Sequence, residues 1–187
     1  MAVREIELYN DIADWLRRYL NDRFSSSVRH IIVMDTHDIY LNDAINRMVR
    51  MININNKNNK KYIRFPHSEY VTWYIKADIS GLIFTRDDKV VTLIVEVKNE
   101  NLTLDHLAQL TGYVMVVRPE IAFLISSNGL SRQLRTLLIE YNRLDLLKYK
   151  DRNNRDRKII IGHWDISRKD LLPVLYGKLP WLDEIYI

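Results

Sequence analysis

The sequence predicts a mixed α/β domain with helices packed on a central sheet. Three observations carry this. Short runs rich in β-branched and aromatic residues alternate with segments whose apolar residues recur every three to four positions. The chain has 187 residues, 47% hydrophobic and 28% charged, which is the balance of one folded domain burying about 70% of its unfolded surface. No apolar run approaches about 18 residues, so no membrane span is expected.

The elements follow in order. Residues 4–20 read as an amphipathic helix, with Leu8, Ile12, Trp15, Leu16 and Tyr19 at helical spacing. Val28–Asp35 is a short apolar strand. Residues 41–51 read as a helix with Ala44, Ile45, Met48 and Val49 on one side. The Asn/Lys run 53–61 is low in complexity and reads as a loop or hairpin tip. A strand is expected over 61–65, ending at Pro66. Residues 70–85 and 90–98 flank the turn-like Arg86-Asp87-Asp88-Lys89 and form a β-hairpin. A helix over 103–117 stops before Pro119, Ile121–Ser126 is a strand, and Asn128-Gly129 is a turn. A helix spans 130–147. The strand over 158–164 carries three consecutive isoleucines, which implies burial on both faces. A last helix over 167–175 takes Ser167 as its N-cap. Residues 1–187 are thus expected to form a single domain.

Composition excludes several chemistries. Cysteine is absent, so there is no disulfide framework, thiol nucleophile, cysteine-ligated zinc or iron–sulfur cluster. Five glycines, none in a phosphate-cradling arrangement, exclude a P-loop or dinucleotide fingerprint. The start lacks an apolar signal core, so a cytoplasmic location is expected. The five histidines have no zinc spacing, and they are assigned structural or surface roles, with His106 singled out because it lies one turn before Gln109.

The net charge of +4 is unevenly spread. Residues 44–68 hold Arg47, Arg50, Lys57, Lys60, Lys61 and Arg64 and no acid. Residues 148–158 hold Lys148, Lys150, Arg152, Arg155, Arg157 and Lys158 against Asp151 and Asp156. Such segregation suits phosphates, and the alternative is a pair of solvated loops.

The hairpin carries the chemistry. Strand alternation puts Glu96 and Lys98 on one face of their strand, and Tyr74, Lys76, Asp78 and Ser80 on one face of the other. Charges in apolar strands are costly unless paired or used. Two carboxylates plus a backbone carbonyl make a hard, all-oxygen site for Mg²⁺ or Mn²⁺, and a nearby lysine can orient a water or stabilise developing charge. Register is decisive. With a two-residue turn, Asp78 would sit opposite Val97 and face away from Glu96, so an odd-residue loop or a bulge is required, Gly81 being a candidate bulge site.

Asp78, then Glu96-Val97-Lys98 at the end of an apolar strand, then a helix carrying Gln109 and Tyr113, resembles the PD-(D/E)XK nuclease superfamily. The Gln-x-x-x-Tyr pair resembles the RecB-like branch, beside the archaeal junction-resolvase-like branch. The proline often written before the Asp is replaced by Ala77. The resemblance covers about residues 4–126, a restriction-endonuclease-like α-β-β-α-β core. It leaves 28–66 as an insertion-like stretch and 127–187 as additional helices and a strand.

The resemblance implies a metal-dependent DNA nuclease, either a structure-specific endonuclease or a RecB-like exonuclease. Asp78, Glu96 and the Val97 carbonyl would hold Mg²⁺ or Mn²⁺. An acid of the first helix would assist: Glu5, which shares the core-facing side, or Glu7. Lys98 would position or deprotonate the attacking water, and Gln109 and Tyr113 would support the site or touch DNA. DNA contacts are assigned to Arg47, Arg50, Lys57, Lys60, Lys61 and Lys76. Resolvases of this fold imply a homodimer. The Lys/Ile/Asn/Tyr-rich composition resembles small nucleases of archaeal viruses or thermophilic archaea, and a viral one would act in the host cytoplasm. The alternative is a catalytically inactive DNA-binding or scaffolding module on the same fold.

Overall fold

The computed structural model describes residues 4–55 and 62–173. Helix α1 (Glu5–Phe24) leads into strand β1 (Val28–Asp35) and helix α2 (Leu41–Asn55). A 3₁₀ turn (Ser68–Thr72) precedes the hairpin β2 (Ile79–Thr85) and β3 (Val90–Lys98). Helix α3 (Leu104–Val117), β4 (Ile121–Ser126) and the short helix α4 (Arg132–Arg135) follow, then β5 (Lys148–Lys150), β6 (Asp156–Lys158), β7 (Ile160–Asp165) and β8 (Asp170–Pro173).

Among the described residues, six strands form one mixed sheet in the order β1-β2-β3-β4-β7-β8, and β5-β6 make a separate hairpin. β3, β4 and β7 run parallel, and the flanking pairs are antiparallel. α1 covers one face, where Leu8, Ile12, Leu16 and Leu20 pack on Val95, Val97, Phe123 and Ile125. α2 and α3 cover the other, where Ile45, Met48, Leu110 and Val114 meet Leu82, Ile94, Leu124 and Ile161. Both faces of the central strands are therefore apolar, as parallel strands between helices require. The three isoleucines divide as expected: Ile160 joins the α1 side, Ile159 and Ile161 the other. No helix among the described residues is long and apolar enough to cross a membrane.

Several expectations are corrected. Within the insertion-like stretch 28–66, residues 28–35 form the strand expected there, which is the edge of the sheet, paired along β2. The strand expected over 61–65 is absent from its described part. Ile63 instead exchanges two 2.8 Å hydrogen bonds with the Asn53 side-chain amide, which satisfies its backbone without a partner strand. Asn53, Ile54 and Asn55 extend α2, and the rest of the Asn/Lys run lies outside the described residues. Residues 73–78 are not strand either, because Trp73 and Ile75 give their carbonyls to the first turn of α2. The helix expected over 130–147 breaks into α4, a π turn (Thr136–Glu140) and a 3₁₀ turn (Leu144–Leu147), with Asn142 at a left-handed φ of 52° between the last two. Residues 167–175 form no helix within their described part. Asp165 caps a tight turn by accepting from Ser167 N and Arg168 N, Lys169 takes φ 50°, and the chain returns as β8 so that Leu171 pairs with Trp164.

Candidate active site

The β2–β3 hairpin sets the geometry. Ile79 pairs with Val95 and Phe84 with Val90, leaving Arg86-Asp87-Asp88 as a three-residue loop beyond the Thr85–Lys89 closing pair. Asp88 takes φ 65°, the left-handed position that such loops require. The odd loop puts Asp78 across from Glu96, on the same face. Gly81 is not a bulge. It lies in regular register, where an added Cβ would come within 3.0 Å of the Ile32 carbonyl oxygen, so its role is close approach to β1.

Glu96 is 1% exposed. Its Oε1 accepts from Lys98 Nζ at 2.7 Å and from Gln109 Nε2 at 2.6 Å, while Oε2 is buried without a partner. Asp78 Oδ2 accepts from the Val97 backbone N–H at 2.8 Å. Glu5 reaches in from the start of α1. Its Oε1 accepts from the Tyr9 hydroxyl at 2.9 Å and lies 4.0 Å from Lys98 Nζ, and its Oε2 accepts from Asn99 N at 3.1 Å. Glu7 instead pairs with Arg4 at 2.8 Å, outside the cluster. Of the two N-terminal acids, Glu5 is the one brought to the site. Gln109 also donates to the Tyr113 hydroxyl at 3.1 Å, as their i,i+4 spacing on α3 permits. His106 serves α3 itself, because its Nδ1 accepts from Thr103 N in the capping box.

Three acids and one lysine share this space. Burial, and then the Asp78 charge, push the Glu96 carboxyl up to about 7. Burial likewise raises Asp78. Burial works against the Lys98 ammonium, but Glu96, Asp78 and Glu5 outweigh it and hold the lysine charged. A charged lysine has no lone pair with which to accept a proton. Held this way, Lys98 is suited to orienting a water and stabilising anionic charge.

No group of three or more His, Asp or Glu side chains among the described residues stands close enough to hold a metal ion. The oxygen donors at hand are Asp78 and the bare Glu96 Oε2.

The basic residues divide differently from their sequence clusters. Arg47 and Arg50 lie on α2, and Lys76 is exposed with its ammonium 5.3 Å from the Tyr40 ring centre, two residues before Asp78. Lys57, Lys60 and Lys61 lie outside the described residues. The cluster 148–158 is largely structural. Arg152 is buried with Glu120 at 3.2 Å, donates to the Val117 carbonyl and the Thr92 hydroxyl, and lies over the Trp73 and Phe65 rings. Half-buried Arg157 pairs with buried Asp151 at 2.8 Å, and Lys150 pairs with Asp156. Thr92 lies four residues before Glu96 on β3, so this network braces the opposite end of the sheet.

Sequence reasoning missed Tyr9, Asp35 and His37. Tyr9 had a usable signal, standing four residues after Glu5 on one helical face. His37 Nδ1 lies 2.7 Å from Asp35 Oδ1, and its ring packs on Tyr9 with centroids 5.1 Å apart. Neither residue sits in a motif, so nothing in the sequence singled them out. Comparisons with protein-family models, curated proteins and solved structures returned no match to this chain.

Proposed function

We propose that the chain is a metal-dependent DNA nuclease of the PD-(D/E)XK type, on a restriction-endonuclease-like core formed by α1, β2, β3, α3 and β4. One observation supports this above the rest: the odd hairpin loop sets Asp78 opposite a buried Glu96 that also holds Lys98 and Gln109. Such a cluster is costly to keep for structure alone.

The residues fit a hard divalent cation. Glu96 Oε2 is a buried oxygen donor without a partner, Asp78 lies across from it, and the donor set is all oxygen, which suits Mg²⁺ or Mn²⁺. Asp78, Glu96 and the Val97 carbonyl would hold the ion, with Glu5 assisting from α1. Bound there, the ion supplies Lewis acidity toward the phosphate and a more acidic water. The chain's own groups do the rest. Lys98 orients the attacking water and offsets charge building on the phosphoryl oxygens. Gln109 fixes the Glu96 carboxylate through one oxygen and leaves the second bare, and Tyr113 braces Gln109. Lys76, Arg47 and Arg50 supply phosphate contacts.

The test uses the wild-type chain, Glu96→Ala and Lys98→Ala with single-stranded, duplex, flap and four-way-junction DNA, with and without Mg²⁺ or Mn²⁺. Metal-dependent cutting, lost in both variants, is the expected result. Cutting of covalently closed circles separates an endonuclease from an exonuclease. Salt-sensitive binding without cutting, unchanged in both variants, would replace this reading with a DNA-binding module.

A further inference from the structure

The end of β1 places a second chemical group at the lip of the same cluster. Asp35 pairs with Ile79, so the chain leaves the sheet beside Asp78. Thr36 then clamps it there. Its N–H donates to the Asp78 carbonyl at 2.8 Å, and its buried hydroxyl donates to the Ala77 carbonyl at 2.7 Å and lies 2.9 Å from Ser80 Oγ. His37 comes next. Asp35 Oδ1 accepts from the His37 backbone N–H at 3.1 Å and engages ring Nδ1 at 2.7 Å. The ring rests on Tyr9, whose hydroxyl donates to Glu5 inside the cluster.

This arrangement fixes which nitrogen is available. Nδ1 is held by the carboxylate, which leaves Nε2 for an incoming group, and the side chain is 32% exposed, enough for a substrate to reach it. A carboxylate orienting one imidazole nitrogen while the other transfers a proton is a recurring device of acid–base catalysis near neutral pH.

The charged groups around the ring favour its protonated form. Asp35 bonds to it, Asp38 lies on the following turn, and Asp78 lies before β2. The Asp35 hydrogen bond leads, and together these acids outweigh burial and hold the imidazole pKa above its ordinary value. From α1 it faces the Tyr9 phenol, which burial and then Asp78 keep neutral. Two further proton donors at the cluster, Lys98 and Tyr9, are already engaged, with Glu96 and Glu5.

We propose that His37, oriented by Asp35, is the general acid that protonates the oxygen leaving phosphorus, an assignment that rests on the nuclease reading above. A water oxygen forms its bond to phosphorus and sheds a proton to solvent. The bond from phosphorus to the departing sugar oxygen breaks, and that oxygen takes the electron pair and the Nε2 proton. The neutral imidazole regains a proton from solvent before the next turnover. His37 is then a catalytic residue and Asp35 a positioning residue.

The test maps the wild-type cut site, then prepares DNA with sulfur replacing the leaving oxygen there, because a departing thiolate needs no proton. Single-turnover cutting by His37→Gln and His37→Ala should fall about 10²-fold on the oxygen substrate. Both variants should cut the sulfur substrate at the wild-type rate, which also shows that they are folded. Asp35→Asn should move the alkaline limb of the rate profile to lower pH, since the imidazolium loses its carboxylate. Equal losses on both substrates, or no loss on either, would overturn the proposal. If the wild type cuts neither substrate with either metal, the nuclease reading falls first and this assignment with it.

Discussion

Gln109 and Lys98 converge on the same oxygen of Glu96, at 2.6 and 2.7 Å, so that one side of a buried carboxylate is doubly held and the other is bare. A buried carboxylate oxygen without a donor costs stability. Here the cost of desolvation falls on Oε2, the oxygen left without a donor.

Glu96→Gln should therefore separate stability from activity. Without divalent cations, the variant should melt at or above the wild-type temperature, because an amide carries no buried charge beside Asp78. It should lose cutting and also the melting shift with Mg²⁺, which for a bound ion is about 2.7 kcal/mol at a hundredfold excess over Kd. Differential scanning fluorimetry with and without Mg²⁺ reads both.

The pH dependence follows with a definite sign. Glu96 titrates at the ordinary 4.5 when unfolded and at about 7 when folded, chiefly because it is buried. The folded state thus prefers the protonated form. That stability is fully present below about pH 4.5 and is lost as pH rises to about 7, an effect on the order of 3 kcal/mol by the usual free energy per pKa unit. Asp78, also raised, adds in the same direction. Urea unfolding from pH 4.5 to 8 without divalent cations should show the fall, and Glu96→Gln should flatten most of it. A wild-type stability that rises over this range would contradict it.

Arg152 should behave as structure and not as a DNA contact. Arg152→Ala leaves Glu120 buried without its guanidinium and should cost about 3–5 kcal/mol. Chemical denaturation checks this. The salt slope of DNA binding, measured below the variant's melting temperature, should be unchanged.

Arg47 and Arg50 should show the reverse. The double substitution Arg47→Ala with Arg50→Ala lies on α2 away from its buried positions and should leave stability within about 0.5 kcal/mol. The slope of log binding constant against log salt should shrink by about 1.8, near 0.9 per phosphate contact for duplex DNA. Fluorescence anisotropy titrations at several salt concentrations supply the slope.

What the sequence disclosed was local and periodic. Strand parity alone required an odd loop if Asp78 and Glu96 were to meet, and the three-residue loop ending at Asp88 meets that requirement. Helical spacing placed Glu5 on the core side and Gln109 with Tyr113 on one face. What stayed hidden depends on distant partners. Ser167 carries an N-cap signal, yet the neighbouring Asp165 side chain uses it in a turn, and only the pairing of Leu171 with Trp164 makes β8. Leu130, Leu134 and Leu138 keep helical spacing, but Asn142 leaves the right-handed region shortly after. Arg152 looked like surface charge because Glu120 and Thr92, its partners, are 32 and 60 residues away. His37 reaches the cluster only through the pairing of β1 with β2.

The two-way clasp between the Asn53 amide and the Ile63 backbone has a practical consequence. It ties together the two ends of the intervening segment, so the distance to be spanned is fixed by the clasp itself. A reporter peptide or a fluorophore attachment site spliced between them would add little closure entropy, since that grows only logarithmically with length.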